Sequence, residues 1–521
     1  MHRALSCSDI LDDIFTWLAP ALASDTLWST AAGHTARTTP ELCDARNNLV
    51  PVVCVCKAFH GPAVRILWRK LDGVFPAFKL LPGFVEEWDT IEGHNGYRFF
   101  WRKIWNFPEL GEVSASDWDR FYKYTTSVQI IGRPLQSSHA SPQCMNGKTW
   151  SSLPELFQGR HPFPYLRTLS WKADEFGLIM LPLLLSPCLE DITIYQGNET
   201  DSTFENMPVW TRNVDALLQE LCKRTPQLTT LTFYACHPTR ACEVLAALRV
   251  PQPNLRSLSL LCALPEGSDR IHVRWADLEG LSRFPLLEGL VIRGMLFQAG
   301  DSMYSQGQPI NLPNLRELTL ESTSNAHLAL KHLCAPTLRA LHVDNLFVMD
   351  STIEWSSMSW LPSLPTLEVL NFKFSLIFAD SLTPIATLFA SISTFPRLRS
   401  LSIHCRSSRN VSVGDDDLLA VSQALPALET LSVRIRLLPL SGDSHSISTL
   451  GLLALLRNCP RLRELELPML QVRTEDLAHI PDEPVAHGLR RLWLEEGWTS
   501  ELHCLIRDRL CPNLEDMTGT V

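Results

Sequence analysis

The chain has 521 residues, 45% of them hydrophobic, and this length favours several domains or an elongated repeat array over one compact core. A formal net charge of −10, without any dense run of lysine and arginine, argues against nucleic acid as a partner. The 15 cysteines are scattered among leucines and valines, which is typical of reduced thiols in a cytoplasmic or nuclear protein.

The first predicted element is a short amphipathic helix in "SDILDDIFTWL", capped by Ser8 or Asp9. Its apolar face has helical spacing and contains Ile10, Leu11, Ile14, Phe15 and Leu18. Aspartates interrupt this segment, so we do not expect a secretory signal. We expect no membrane partner, because the most apolar run, "FGLIMLPLLLSPCL", is too short to span a bilayer. A polar stretch from about 20 to 46 is predicted to be a loop.

The stretch "NNLVPVVCVCKAFHGPAVRILWRKL" predicts a second helix that begins at a cap on Asn48, with Pro51 in its first turn. Gly61-Pro62 is predicted to interrupt this helix before it resumes. Cys54, Cys56 and His60 suggest either a metal site or packing residues. A structural zinc site needs four ligands, and no second cysteine pair lies at a suitable spacing, so the packing interpretation is preferred.

Three features of this N-terminal region together resemble the F-box. They are the helix "ILDDIF.WL", the Val-Cys-Lys followed one residue later by an aromatic, and the later Leu-Trp. The resemblance implies a small helical domain that binds the Skp adaptor of a cullin-RING ubiquitin ligase. The residues matching the motif's core and adaptor-binding positions are Ile10, Leu11, Ile14, Phe15, Leu18, Val55, Cys56, Phe59 and Trp68. The chain departs from the motif at Ser6-Cys7, where a leucine-proline pair is usual, and in its longer first loop.

The next segment is rich in aromatic residues. Within it, "SASDWDRFYKYTTSVQIIG" predicts a capped helix followed by a strand that begins the repeat array. The order of F-box, this helix and then repeats resembles the large F-box families of mushroom-forming fungi. We expect a helical domain over 1–72, a linker with a capping repeat over 73–135, and a repeat solenoid over 136–521.

An octet of proline, any residue, leucine, two polar residues and alternating aliphatics recurs from about residue 164. Copies begin at residues 164, 187, 226, 253, 285, 313, 336, 365, 396, 426, 460, 487 and 512. A period of about 29 residues indicates stacked repeats. The alternating end of each octet predicts a strand, and "NVDALLQELCKRT", "GDDDLLAVSQAL" and "TLGLLALLRNC" predict intervening helices.

This pattern resembles the leucine-rich repeat, which implies an α/β horseshoe with parallel strands on the concave face and helices on the convex face. The residues between and just beyond the inward aliphatics of each strand are then expected to face a partner. Candidates for a substrate-binding face are Tyr195, Tyr234, Arg293, Glu321, Asp344, Lys373, His404, Arg434 and Trp493. The alternative is that these are ordinary polar strand exteriors.

Motifs for catalysis are weak. Asp443, Ser444 and His445 are adjacent in sequence, whereas triad residues rarely are, and the sequence contains no nucleophile elbow or phosphate-binding loop. The three aspartates at 415–417 suggest a helix start more than a cation site. We therefore expect no cofactor, no metal and no catalytic residue.

The resemblances together imply the substrate-recognition subunit of a cullin-RING (SCF-type) ligase, which binds a target protein of unknown identity for ubiquitination. Two alternatives remain open. One is a leucine-rich-repeat interaction scaffold that is not coupled to ubiquitination, and the other is an enzyme.

Overall fold

The computed structural model describes residues 7–19, 38–92, 99–106, 113–132, 144–145, 153–173, 181–196, 207–235, 252–262, 272–273, 278–297, 310–323, 330–331, 333–348, 364–376, 392, 394–407, 413–437, 447–471, 487–496 and 500–519. The chain divides into two compact units. Unit 1 comprises Met1–Cys236 with Val250–Leu255, and unit 2 comprises His237–Arg249 with Arg256–Val521.

Nine α-helices have defined bounds, and the described residues also include short helical stretches at 153–157 and 181–184. The nine helices are α1 (Ser8–Leu18), α2 (Thr38–Val53), α3 (Lys57–Arg69), α4 (Phe75–Phe78), α5 (Ala115–Thr125), α6 (Met207–Arg224), α7 (Asp415–Ala424), α8 (Thr449–Asn458) and α9 (Ser500–Leu505). A 3₁₀ turn at Glu279–Arg283 and a π turn at Ile506–Leu510 add to these. No helix among these residues is long and apolar enough to cross a membrane.

The N-terminal helices differ from the sequence prediction in their ends. Helix α1 forms as expected, but Cys7 precedes it as the N-cap and makes no side-chain hydrogen bond, so the predicted cap at Ser8 or Asp9 is wrong. Helix α2 begins at Thr38, inside the predicted loop, which places Pro51 near its end instead of in its first turn.

The break between α2 and α3 lies at the two cysteines and not at Gly61-Pro62. Cys54 N–H donates to Pro51 C=O and Val55 N–H donates to Val52 C=O, both at 3.1 Å. Such i to i−3 bonds tighten a last turn and end the helix. Helix α3 then continues through Pro62.

The described strands number 23 in chain order. They are β1 (Lys70–Leu71), β2 (Val85–Glu92), β3 (Phe99–Asn106), β4 (Ile130–Ile131), β5 (Cys144–Met145), β6 (Thr168–Ala173), β7 (Asp191–Gln196), β8 (Thr230–Ala235), β9 (Ser257–Cys262), β10 (His272–Val273), β11 (Gly289–Arg293), β12 (Leu296–Phe297), β13 (Ile310–Asn311), β14 (Glu317–Glu321), β15 (Leu333–Cys334), β16 (Ala340–Val348), β17 (Val369–Leu376), β18 (Ser400–Ser407), β19 (Thr430–Leu437), β20 (Ile447–Ser448), β21 (Glu464–Gln471), β22 (Arg491–Glu496) and β23 (Asp516–Gly519). Each of the thirteen octets supplies one strand, which begins at its fifth residue.

The octet strands form parallel sheets in both units, as the repeat predicted. In unit 1 the hydrogen-bonded order is β1-β4-β6-β7-β8. In unit 2 it is β9-β11-β14-β16-β17-β18-β19-β21-β22-β23. The predicted strand in "SVQII" is β4, whereas Lys70–Leu71, predicted as the end of a helix, form β1. The separate hairpin β2–β3 is antiparallel.

Leucines at fixed octet positions form the core of each unit. The third and sixth residues are buried in the first twelve octets, and the eighth is buried from the second to the twelfth. Burying one such side chain contributes about 1.5–3 kcal/mol. The stacked repeats therefore bury an apolar face that no single repeat buries alone.

The second octet residue, which the sequence pattern left unassigned, joins neighbouring turns. Asn314 Nδ2 donates to the Pro285 carbonyl at 2.7 Å, and Thr337 Oγ1 donates to the Pro313 carbonyl at 2.7 Å. Thr366 Oγ1 repeats this contact to Pro336 at 2.9 Å. We call these contacts the turn ladder.

The predicted helices between strands are confirmed at α6, α7 and α8. Helix α5 also begins at the predicted cap, where Ser114 and Asp117 form a reciprocal capping box. Its Phe121 stacks on Phe78 with ring centroids 6.2 Å apart, so the aromatic-rich segment forms a local core in unit 1.

Candidate functional site

Helix α1 is apolar over a wider arc than its core requires. Leu11 and Phe15 are buried in a cluster with α2 and α3, and the Phe15 and Phe59 rings meet edge to face at 5.5 Å. The remaining large apolar residues of α1 share an adjacent stripe and are exposed: Ile10, Ile14, Trp17 and Leu18. Trp17 is 86% exposed.

Two more apolar side chains of this module are exposed. Val50 lies in α2, and Val55, which is 65% exposed, lies in the turn that follows. We call Ile10, Ile14, Trp17, Leu18, Val50 and Val55 the apolar surface. Of the F-box-like positions from the sequence, Leu11 and Phe15 are therefore buried, whereas Ile10, Ile14, Leu18 and Val55 are exposed.

The remaining matched positions, Cys56, Phe59 and Trp68, are half-buried. Cys54, which was expected to pack together with Cys56, is exposed, so the packing role is wrong for Cys54. The Trp68 ring packs against Tyr124 of α5 at 4.9 Å, which joins α3 to the aromatic-rich segment. Arg65 Nη2 donates to Ser8 at 2.7 Å and pairs with Asp12, which fixes α1 against α3.

The strands place the predicted partner-facing residues on one face in register. In unit 1, Tyr195 faces Tyr234, with stacked rings 4.6 Å apart. In unit 2, Arg293 faces Glu321, Glu321 faces Asp344, and Lys373 faces His404. His404 in turn faces Arg434 on the next strand. Trp493 lies on the same face, where it neighbours Glu466.

The strand face of unit 1 also contains an ionisable group that the sequence did not predict. Asp191 begins β7 and is half-buried, and its buried Oδ1 has no hydrogen-bond partner. Burial raises the pKa of this carboxyl to about 6. Burial also raises the pKa of the nearby Tyr195 to about 12, despite a hydrogen bond with Ser170 that lowers it.

In unit 2 the face contains a cluster of charges. Lys373 Nζ lies 2.8 Å from Asp344 Oδ2, and the Arg434 guanidinium pairs with Glu466. His404 lies between the two cations. The pKa of His404 is lowered to about 4, first by desolvation and then by Arg434 and Lys373, while Glu466 and Asp344 act in the opposite direction. His404 is therefore neutral at pH 7.

Next to Trp493, Arg491 pairs with Glu464 and its guanidinium carbon lies 5.6 Å from the Trp493 ring centroid. This cation–π contact holds the indole against the face. The sequence analysis did not include Glu464 and Arg491 because they lie two residues before the nearer of the two predicted rows, at the start of their strands.

The described residues offer no assembled catalytic triad. Ser432 Oγ lies 3.5 Å from His404 Nε2, but it donates its hydrogen bond to Glu466 at 2.5 Å. The acid thus binds the serine instead of orienting the histidine. Asp443, Ser444 and His445 lie outside the described residues.

Within the described part of the chain, no group of three or more histidine, cysteine or acidic side chains is placed to hold a metal ion. Among the three aspartates at 415–417, Asp415 accepts hydrogen bonds from the Ser448 backbone N–H and hydroxyl, and Asp417 accepts one from Gly414 N–H. These contacts give two of the three carboxylates a structural role.

Comparison with known proteins gives little beyond this. No family model matches the chain, and no curated protein matches it. A crystal structure of the mouse RP105/MD-1 complex is similar at 14% sequence identity, covering 76% of this chain and 72% of that chain, with a TM-score of 0.34. The functional argument therefore rests on the residues of this chain.

Proposed function

We propose that the chain is a non-catalytic substrate receptor of a cullin-RING ubiquitin ligase. The N-terminal helices bind a Skp-type adaptor, and the repeat array binds a target protein. The observation that carries this proposal is the apolar surface, which lies on a helical module whose own core is already filled.

The distribution of apolar residues on α1 supports a protein partner. A helix that packs against its own domain on a single side needs one apolar stripe. In α1, Leu11 and Phe15 already supply that stripe. The second stripe leaves Ile14 39% exposed and Trp17 almost fully exposed. Grouped exposed apolar side chains, with a tryptophan among them, are typical of protein-binding sites.

In this role the array supplies position and no reacting group. A target bound on the strand face is tethered to the same complex as the ubiquitin-transferring enzyme. Tethering raises the effective concentration of target lysines at the transfer site. Charged and aromatic residues on the face, such as Tyr195, Arg434 and Trp493, suit protein recognition.

The test is co-purification of the full chain with a purified Skp-type adaptor. Ile14→Asp and Val55→Asp should each weaken adaptor binding at least tenfold, because each places a charge in an apolar interface. Leu286→Asp is the matched control, since Leu286 is 38% exposed but lies in unit 2. Leu11 is unsuitable for this test because it is 1% exposed, and a charge there would unfold the module.

An adaptor that fails to bind the wild-type chain would contradict the proposal. Equal binding by all three variants would do the same. In that case the second candidate, an interaction scaffold that is not coupled to a ligase, is favoured. The polar face of the strands supports it, because this face does not depend on adaptor binding by the helices.

A further inference from the structure

Three residues with basic side chains occupy facing positions on neighbouring strands of unit 2. Lys373, His404 and Arg434 lie in β17, β18 and β19, and the strand register places each opposite the next. With strands about 4.8 Å apart, the Lys373 and Arg434 positions are roughly 10 Å from each other across His404. We call these residues the central basic cluster.

The acidic partners of this cluster lie on its outer sides. Asp344, on the far side of Lys373, pairs with it at 2.8 Å, and Glu466, on the strand beyond Arg434, pairs with that guanidinium. Among the described residues, no acidic side chain stands between the two cations. The strand register therefore places the two cationic residues on either side of a neutral imidazole, and Glu466 approaches it only through Ser432, whose hydroxyl donates to Glu466 and lies 3.5 Å from His404 Nε2.

The electrostatics at His404 are consistent with this arrangement. Apart from desolvation, Arg434 and Lys373 depress the pKa of His404 more strongly than Glu466 and Asp344 raise it. At His404 the two cations therefore outweigh the two acids. Two cationic side chains on either side of a neutral group leave a place for a bridging anion.

We propose that the central basic cluster binds an acidic segment of the target protein, with one anionic group lying over His404 between Lys373 and Arg434. This inference rests on the proposed function for the existence of a target, and it specifies the chemistry of that target. A carboxylate and a phosphorylated side chain both present the required oxygen anion. Partial exposure of Lys373 and Arg434 leaves both cations accessible.

The test uses the full chain and fluorescence anisotropy with labelled probes. The probes are deca-glutamate, deca-lysine, a glycine–serine decapeptide with one phosphoserine, and a single-stranded DNA decamer. Deca-glutamate should bind, more weakly as salt increases. The phosphoserine probe shows whether one phosphate suffices in place of several carboxylates.

Variants locate the binding. Lys373→Gln and Arg434→Gln should each weaken deca-glutamate binding about fivefold or more, because each removes a charge-assisted hydrogen bond. Arg399→Gln is the matched control, since Arg399 directly precedes β18 and is similarly exposed and paired with an acid, Glu429. Asp344→Asn should tighten binding, because it releases Lys373 from its internal competitor.

The pH dependence of deca-glutamate binding provides a second readout. An anion bound over His404 should raise the pKa of this histidine above its lowered value in the unbound protein. Binding is then accompanied by proton uptake. Affinity for deca-glutamate should therefore rise as the pH falls from 7 to 5.5. His404→Gln should flatten that rise. The charged groups facing His404 are Lys373, Arg434, Asp344 and Glu466.

Several results would overturn the inference: no binding of either anionic peptide, tighter binding of deca-lysine or DNA, or equal loss in the Arg399→Gln control. Adaptor co-purification of the same variants separates the two proposals. Adaptor binding without peptide binding would remove only this inference, whereas peptide binding without adaptor binding would remove only the ligase role. Circular dichroism of each variant confirms that the array remains folded.

Discussion

The helical module and the strand face of unit 2 present opposite chemistries to solvent. The module, helices α1 to α3, exposes Trp17, Ile14 and Val55 while its polar contacts, such as Arg65 with Asp12, hold its helices together. In the strands of unit 2, the aliphatic side chains point into the core and are buried. The opposite side of these strands, the strand face, exposes charged side chains that pair across strands, such as Lys373 with Asp344.

This difference separates two kinds of recognition. An apolar surface binds any partner with a complementary apolar patch and suits one constant partner. A face of paired charges contributes little affinity by itself and discriminates by where its charges lie. In the proposed function, the first surface binds the adaptor and the second selects the target.

The largest expected effect is on the free energy of unfolding, when a buried aliphatic side chain of these strands is truncated. Leu431→Ala should lower the free energy of unfolding by about 3 kcal/mol, because Leu431 is fully buried between repeats and leaves a cavity. Urea unfolding followed by circular dichroism measures this. Leu419→Ala, at an exposed leucine of α7, should cost less than about 1 kcal/mol. Equal costs would mean that the repeats do not share a core.

The apolar surface should respond in the opposite way. Trp17→Ala should weaken adaptor binding by about 2 kcal/mol, as truncation of an anchoring tryptophan does, while unfolding changes by less than about 0.5 kcal/mol. Calorimetric titration with adaptor and thermal unfolding give the two values. A large loss of stability with intact binding would make Trp17 a structural residue and abolish the contrast between the two regions.

Asp191→Asn tests an acid on the strand face of unit 1 whose buried Oδ1 has no hydrogen-bond partner. The pKa of Asp191 is raised in the fold, so the folded state binds more protons than the unfolded state between about pH 4 and pH 6, and stability is lost as the pH rises through that range. The variant should be more stable by about 2 kcal/mol at pH 7.5 and should lose this pH dependence. Urea unfolding at pH 4 and pH 7.5 measures both. An unchanged pH profile would show that Asp191 is hydrated.

The smallest expected effect concerns the turn ladder. Thr337→Val removes the hydroxyl that donates to the Pro313 and Leu315 carbonyls and should cost about 1 kcal/mol. Thr319→Val, on the strand face, controls for the change in side-chain shape. If both substitutions had the same effect on urea unfolding, the ladder would contribute nothing to stability.

The sequence predicted the array well because burial repeats along it. Every octet strand begins at the same octet position, and the helices at "NVDALLQELCKRT" and "TLGLLALLRNC" follow the spacing of their buried leucines. The register of the strand face followed from the same alternation. Periodic apolar residues are a local signal, so one sequence suffices to read it.

What the sequence missed depends on contacts between distant positions. Helix α2 starts in a stretch of alanine and threonine with two prolines, where local propensity favours a loop. The pairing of Lys373 with Asp344 and of Arg434 with Glu466 depends on side-chain contacts between neighbouring strands, which the spacing of residues in one strand does not reveal. The buried state of Asp191 likewise depends on its neighbours in the sheet and not on its own segment.

The turn ladder also bears on how such a chain changes in length over evolution. Each contact joins a turn only to the turn before it, as Asn314 does with Pro285 and Thr337 with Pro313. A duplicated repeat would bring its own donor and its own carbonyl, and would leave no unpaired group at either junction. The array can therefore gain or lose whole repeats by duplication or deletion, and the set of charges on its face can change while its core chemistry stays the same.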